Sequence, residues 1–295
     1  MVKSRVRMHI STLFSERRFT TSFEFFPPRN SEGEASLWKS LSTLKSLDPD
    51  FVSITRTGGG TGATVDLTAR MQSEIGLRAM SHLTCVHHDR DEMGAHLDEL
   101  WSRGIRNVLA LRGDLEPGTR PERSDFAYAS DLVRFVRERH PFCIGVAGYP
   151  EGHPQCLNLT RDLEHLRRKL DLGGSFVITQ LFFDNDDFLR WRDQAHRMGI
   201  RAPVVAGIMP ITNVAQIKRF VTLCGAKIPH ALLMRLEAVE DDPGAVARIG
   251  HEHALAQCRQ LIAEGIAGLH FYTLNRSKAT SNIVRALREE DSHGC

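Results

Sequence analysis

Eight short β-rich runs recur along this chain, and a helical pattern follows most of them. The runs lie at 21–26, 51–55, 78–84, 107–112, 143–149, 176–183, 204–208 and 268–273. Alternation of this kind implies parallel pairing, because each helix carries the chain back to the edge where the next strand starts. Eight units with no second composition regime predict an α/β fold: one closed (β/α)8 TIM barrel spanning 1–295. The length of 295 residues suits such a barrel, which takes ~250 residues and more with insertions. The stretch 227–259 is the least regular and predicts extra helices before the last strand. The ends, 1–18 and 289–295, are expected to be peripheral or frayed.

Helix punctuation supports the rhythm. Ser31-Glu32-Gly33-Glu34 reads as a capping box, followed by Leu37, Trp38, Leu41 and Leu44 at helical spacing. Leu159, Leu163, Leu166 and Leu170 form one stripe, with Gly173 placed to end that helix. Another helix starts near Asn213, carries Ile217, Phe220, Val221 and Cys224, and stops at Gly225.

Charge narrows the function classes. Thirty-eight Lys and Arg against thirty-six Asp and Glu leave a net charge of +2, with no basic stripe suited to nucleic acid. The cluster Arg167-Arg168-Lys169 is balanced by Asp162, Glu164 and Asp171. No apolar run approaches the ~20 residues that span a bilayer, and no signal-peptide core follows the basic start. The cysteines at 85, 143, 156, 224, 258 and 295 contain no CxxC pair, which reads as reduced thiols in a cytoplasmic protein.

In a β/α barrel, chemistry collects at the C-terminal ends of the strands. Polar side chains occur there in run after run: Glu24, Thr55, His82, Arg112-Gly113-Asp114, Tyr149 with Glu151 and His153, Gln180, and Tyr272 to Arg276. Glu24 is the most informative of them. Strand alternation puts Ser22, Glu24 and Phe26 on one face and Phe23 and Phe25 on the other. A carboxyl group in so aromatic a run is expected to be desolvated, which favours its neutral, proton-donating form. The competing reading is a buried glutamate paired with a basic residue such as Arg112.

Other signals are weaker. Gly58-Gly59-Gly60-Thr61-Gly62-Ala63 fits a dinucleotide-type GxGxxA, but the next strand starts too soon and ends without an acidic residue, so an ordinary loop is expected. His251-Glu252-His253 and His87-His88-Asp89 lack metal geometry, and no metal is expected. On the helix after residue 158, Asp162, His165, Arg168 and Lys169 cluster beside the leucine stripe. Such a face could hold a phosphate and a ribose, although a solvated face is the commoner meaning.

The runs Ser22-Phe-Glu-Phe-Phe-Pro-Pro-Arg29, His82-Leu-Thr-Cys85, Leu111-Arg-Gly-Asp114, Gly148-Tyr-Pro-Glu-Gly-His-Pro154, Ile178-Thr-Gln-Leu-Phe-Phe-Asp184 and His270-Phe-Tyr-Thr-Leu-Asn-Arg276 resemble the methylenetetrahydrofolate reductase family, in order and over nearly the whole chain. The resemblance implies a barrel that binds FAD without a Rossmann motif. It also implies a ping-pong reduction of 5,10-methylenetetrahydrofolate to 5-methyltetrahydrofolate, with NADH or NADPH reducing the flavin first. Glu24 would be the general acid, its proton passing through water to the folate N5 nitrogen and opening the five-membered ring to an iminium cation. Asp114 would lie between flavin and pterin and stabilise that cation. Gln180, Gln216, Phe220 and Arg276 would contact the folate. The FAD positions would be Thr55, His82, Arg112, Gly113, Asp114, Tyr128, Ala129, Tyr149, His153, Asp162, His165, Arg168 and Lys169, which gives the charged helix face a ligand. The regulatory domain of the eukaryotic enzymes has no counterpart in this sequence. A small-molecule folate partner is implied, with neither nucleic acid nor membrane, and a homo-oligomer is compatible.

Two positions depart from the family pattern. Arg56 stands where an aromatic residue is usual, beside the glycine-rich loop, and is a candidate reader of the extra phosphate of NADPH. Cys156 replaces a small residue. Two rival readings remain at this point: a flavin barrel oxidising another small amine, and a flavin-poor barrel serving as a binding or partner subunit.

Overall fold

The computed structural model describes residues 9–16, 19–56, 62–114, 124–156 and 158–293. Positions 57–61, and with them most of the glycine-rich loop, lie outside the described residues, as do 1–8 and 294–295. The strands are β1 Thr20–Phe25, β2 Phe51–Ile54, β3 Ala79–Thr84, β4 Asn107–Leu111, β5 Cys143–Gly148, β6 Gly174–Thr179, β7 Val204–Ile208 and β8 Gly268–Tyr272. They pair in parallel in chain order, and β8 returns to β1, closing the barrel. Seven strands lie within about one residue of the sequence reading; β6 does not. It starts at Gly174 and ends at Thr179, so Gln180 sits just past the strand rather than on it.

Alternation along the strands sorts the core into two shells. Phe23 and Phe25, Val52 and Ile54, Val108 and Ala110, Ile144 and Val146, and Leu269 and Phe271 face outward against the helices. Phe51, Met80, Leu109, Cys143, Phe176, Ile178 and Val205 fill the inside. Each fully buried large side chain contributes roughly 1.5–3 kcal/mol by leaving water. The bottom of the barrel is plugged by the short helix Ser11–Ser15. Ile10 N–H donates to Asn107 Oδ1 (2.7 Å), and Phe14 lies against Phe176 with ring centroids 5.3 Å apart. The apolar filling thus occupies the lower interior and leaves the mouth to polar groups.

The helices follow the strands as the rhythm requires. Helix Ser31–Lys45 is capped one residue earlier than the capping-box reading, by Asn30 Oδ1 accepting from Gly33 N–H. Helix Val214–Cys224 begins after Asn213 and ends at Gly225, whose φ of +73° is the left-handed conformation that suits glycine. The irregular stretch contains helices His230–Glu237 and Pro243–Ala263. Helix Lys278–His293 continues through most of the segment expected to fray. No helix among the described residues is long and apolar enough to cross a membrane.

The closing seam is tight at its base. A Cβ on Gly268 would lie 2.0 Å from Thr20 Oγ1 and 2.5 Å from Thr20 O, so β8 approaches β1 closely only because residue 268 has no side chain. Gly268→Ala is expected to cost about 2–3 kcal/mol in urea unfolding, since backbone rather than a flexible tip must move. A loss below ~0.5 kcal/mol would show that the seam can relax.

Candidate active site at the barrel mouth

Closure of β8 on β1 assembles the centre of the mouth. Register pairs Ser22 with His270, Glu24 with Tyr272 and, across β2, Glu24 with Ser53. Glu24 Oε2 lies 3.4 Å from His270 Nε2, 3.5 Å from His82 Nε2 and 3.5 Å from Ser53 Oγ. Glu24 is therefore caged by two imidazoles and a hydroxyl, not by phenylalanines. Phe23 and Phe25 point to the opposite face, as alternation requires, and Arg112 is not its partner. The carboxyl is largely buried, with a 16% exposed side chain open toward the mouth.

The cage is fixed from several strands. His270 is fully buried, with Nδ1 2.8 Å from Ser22 Oγ and its ring stacked on Phe51. His82 is held neutral, its pKa pushed down to about 4 chiefly by burial against the opposing pull of Glu24. Its Nε2 is buried without a hydrogen-bond partner: the 3.5 Å approach to Glu24 lacks hydrogen-bond geometry. Tyr272 O–H donates to Thr179 O (2.7 Å), a reach allowed by Gly207, where a Cβ would lie 2.7 Å from the tyrosine ring. Burial, then Glu24, pushes the Tyr272 phenol well above its ordinary range. Thr273 Oγ1 donates to Glu24 O (2.5 Å), and Asn275 closes a two-bond clamp on the Phe26 backbone, with Leu274 and Asn275 at positive φ. Sequence reasoning missed Ser53, His270 and Thr273 as partners of Glu24, and Ser22 as the partner of His270. The available signal was parity, since Ser22 and His270 share the inward face with Glu24 and Tyr272.

The other side of the mouth gathers most of the positions expected to hold a cofactor. Burial pushes the Tyr149 phenol up to about 12, helped by Asp114 and Asp162 and opposed by Arg112. Burial lowers His153, and Arg112, Lys169 and His165 add to the effect. Burial raises Asp162, while Lys169, His165 and a backbone N–H from His153 oppose it. These residues thus share one electrostatic neighbourhood. Thr55 follows β2, its N–H bonded to Phe25 O. Gly113 has φ +90°, and a Cβ there would lie 2.5 Å from Val86, so only glycine fits beside Arg112 and the exposed Asp114. Tyr128, 60% exposed, stacks on His165 just before Ala129 opens helix Ala129–Arg139. Arg168 is exposed. Lys169 turns its Nζ inward and donates to Ala147 O (2.6 Å), and burial lowers its pKa to about 8.

Of the four expected folate contacts, Gln180 follows β6 with its Oε1 accepting from Leu181 N–H (2.8 Å). Gln216 and Phe220 are half-buried on helix Val214–Cys224, and Phe220 packs against the cluster that includes Leu181, Met209, Tyr272 and Leu274. Arg276 is exposed beyond the Asn275 clamp. The helix bearing Gln216 and Phe220 is tied to the Tyr149–His153 loop. Glu151 accepts from Lys227 N–H with both oxygens, and burial raises its pKa to about 7.

Arg56 is engaged within the scaffold. It donates to Thr84 O (3.0 Å) and to His88 Nε2 (2.5 Å), and His88 Nδ1 faces Glu92 at 3.3 Å. This placement makes Arg56 a clamp between β2, β3 and helix Arg90–Ser102 rather than a free cation at the mouth. His96, on that helix, is buried with Nδ1 unpartnered, and burial with nearby Arg56 lowers its pKa to about 4. No group of three or more His, Cys, Asp or Glu among the described residues is arranged to hold a metal ion.

A family model described as "Methylenetetrahydrofolate reductase" matches residues 9–288. The 5,10-methylenetetrahydrofolate reductases of Salmonella typhimurium and Escherichia coli are each 39% identical over 273 residues, covering 92% of this chain and 91% of theirs. "Methylenetetrahydrofolate reductase (NADH) 1" of Arabidopsis thaliana is 37% identical over 294 residues, covering 94% of this chain and 50% of that protein. Among solved structures, a Clostridium thermocellum protein described as binding two copies of 5-methyl-5,6,7,8-tetrahydrofolic acid has a TM-score of 0.65 at 13% identity, over 95% of this chain and 99% of that one. At that identity the likeness speaks for the fold alone.

The low proton affinity of His96 has a consequence for stability. Unfolding restores the ordinary imidazole value of 6.5, so the unfolded chain binds more protons as pH falls toward about 4 and stability is lost over that window. His96→Leu removes this penalty. Relative to the parent, the variant is expected to gain roughly 2 kcal/mol in urea unfolding between about pH 7 and about pH 5. A constant difference across that range would mean that His96 carries no such burden.

Proposed function

From the membership of this chain in the methylenetetrahydrofolate reductase family, we propose that it reduces 5,10-methylenetetrahydrofolate to 5-methyltetrahydrofolate, with FAD as cofactor, NADH or NADPH as reductant and Glu24 as general acid. The observation that carries this reading is the Glu24 carboxyl, largely buried at the mouth in its cage of Ser53, His82 and His270. An acid sheltered from bulk water and open on one side can deliver a proton to a bound substrate without losing it to solvent.

The residues around the mouth fit a flavin dinucleotide. The buried Nε2 of His82 lacks a partner, and the exposed Tyr128 ring already stacked on His165 offers an aromatic platform for an adenine. Arg168 supplies an exposed cation for a diphosphate, and Asp162 an acceptor for a ribose hydroxyl. Thr55, Arg112, Gly113, Asp114, Ala129, Tyr149 and His153 would line the remainder, with Lys169 shaping that wall through Ala147. When bound, FAD would supply the redox chemistry, taking a hydride from NADH or NADPH and passing it to the carbon that folate carries.

The chain's own residues would then manage charge and protons. Bond counting revises the expected proton acceptor. The product keeps its carbon on N5, so the bond that opens is between the methylene carbon and N10, and the proton from Glu24 must end on N10. Asp114 would face the cation left on N5 and the methylene carbon, stabilising it electrostatically. Gln180, Gln216 and Arg276 would orient the pterin and its tail, and Phe220 would cover the ring and exclude water.

Purified protein reconstituted with FAD is expected to lose its visible flavin absorbance on adding NADH or NADPH and regain it on adding methylenetetrahydrofolate without oxygen. Asp114→Asn should slow the second step by about tenfold or more. A colourless protein that takes up no FAD would favour a partner subunit. Flavin that bleaches but is not reoxidised by the folate would point to another small substrate.

A further inference from the structure

Beneath Glu24, hydrogen-bond donors and acceptors can be counted one by one, because Ser22, Ser53 and His270 are fully buried. Ser22 Oγ lies 3.1 Å from Leu269 O and 2.8 Å from His270 Nδ1. A carbonyl oxygen only accepts, so the bond to Leu269 O uses the single serine hydrogen. The contact with the ring then needs its hydrogen on Nδ1. In that arrangement Nε2, on the opposite edge, presents a lone pair. That lone pair faces Ser53 Oγ at 3.2 Å and Glu24 Oε2 at 3.4 Å.

Among the protein side chains, the count on that side comes up one hydrogen short when Glu24 is ionised. Ser53 has one hydrogen for two acceptors, His270 Nε2 and Glu24 Oε2. Tyr272 gives its hydrogen to Thr179 O, and His82, kept neutral by burial, stands 3.5 Å from Glu24 without hydrogen-bond geometry. Phe51, stacked on the His270 ring, offers no polar atom. One added proton between Glu24 and His270 completes the set: it links Oε2 to Nε2 and frees Ser53 to serve either neighbour.

We propose that His270 is a positioning residue for the acid step: locked by Ser22 with its hydrogen on Nδ1, it presents a bare Nε2 to Glu24, so that the two side chains hold one proton in common. This deepens the functional reading above and rests on it for the proton's destination. In the folate step the shared proton leaves Glu24 Oε2 for N10 as the carbon–N10 bond breaks, and Glu24 remains as a carboxylate beside His270. Solvent refills the pair before the next turnover, and no oxidation state changes in the transfer itself. A bare Nε2 repels the carboxylate and favours return of the proton. An Nε2–H would instead stabilise the carboxylate, so that Glu24 loses its proton at lower pH and less of the proton-donating form is present.

The sign of the test follows. Ser22→Ala releases the tautomer, allowing Nε2–H to bond ionised Glu24. The pH above which the folate half-reaction slows should then move down by about one unit. The NADH- or NADPH-driven half-reaction should stay within about twofold of the parent, and Ser22→Thr, which restores the hydroxyl, should return the parent profile. Independently of activity, nitrogen-15 spectra of histidine-labelled holoenzyme, assigned with His270→Asn, should show His270 protonated on Nδ1 in the parent. A Ser22→Ala profile that superimposes on the parent's, or a parent ring protonated on Nε2 with Nδ1 bare, would overturn the proposal. If the parent oxidises NADH or NADPH but never reduces the folate, the functional reading fails, while the spectra still decide the tautomer.

Discussion

Everything at the mouth of this barrel depends on the pairing of β8 with β1. Residues 246 positions apart, Glu24 and His270, meet because the eighth strand closes on the first. The same seam supplies Tyr272, whose hydroxyl reaches β6, and the Thr273–Asn275 clamp that holds the backbone of Glu24 and Phe26. The acid is therefore supported on rigid strands and by main-chain bonds rather than by a loop. For the proton transfer proposed above, over a short and fixed distance, that rigidity is what would make the geometry usable.

The interior is graded from bottom to mouth. Phenylalanine, methionine and leucine fill the lower layers above the plug at Ser11–Ser15, then the serine and histidine layer follows, and the carboxyl stands at the top. Burying polar groups is costly unless they are paired. Ser22, Ser53 and His270 satisfy one another, whereas His82 keeps an orphan Nε2 at the edge of the site.

Much of this was legible in the sequence, for physical reasons that also mark the limits. Seven strands were readable because β-branched and aromatic residues sit between clear turn signals. β6 was displaced since Gly174 and Ser175 are poor strand formers, while Leu181, Phe182 and Phe183 prolong the apolar run into a connection that packs on neighbouring clusters. Glu24 stood out as a charge inside an aromatic strand, yet its surroundings were misjudged. Sequence neighbours Phe23 and Phe25 face away, and the true neighbours come from β2, β3 and β8. The direction of Lys169 was equally hidden, because helical spacing gives the face a side chain leaves from but not where its tip ends. Arg56 stood out as a candidate reader of the NADPH phosphate, and its bonds to Thr84 and His88 were not visible in the sequence.

The central claim is that Glu24 serves the folate step and not the nicotinamide step, and comparing the two half-reactions in one variant tests it most directly. Glu24→Gln keeps the size and much of the hydrogen bonding of the side chain but has no proton to give. The account predicts flavin reduction by NADH or NADPH within a few-fold of the parent, and a loss of about 10²-fold or more when reduced enzyme meets methylenetetrahydrofolate. Equal rates of parent and variant in the folate step would contradict it.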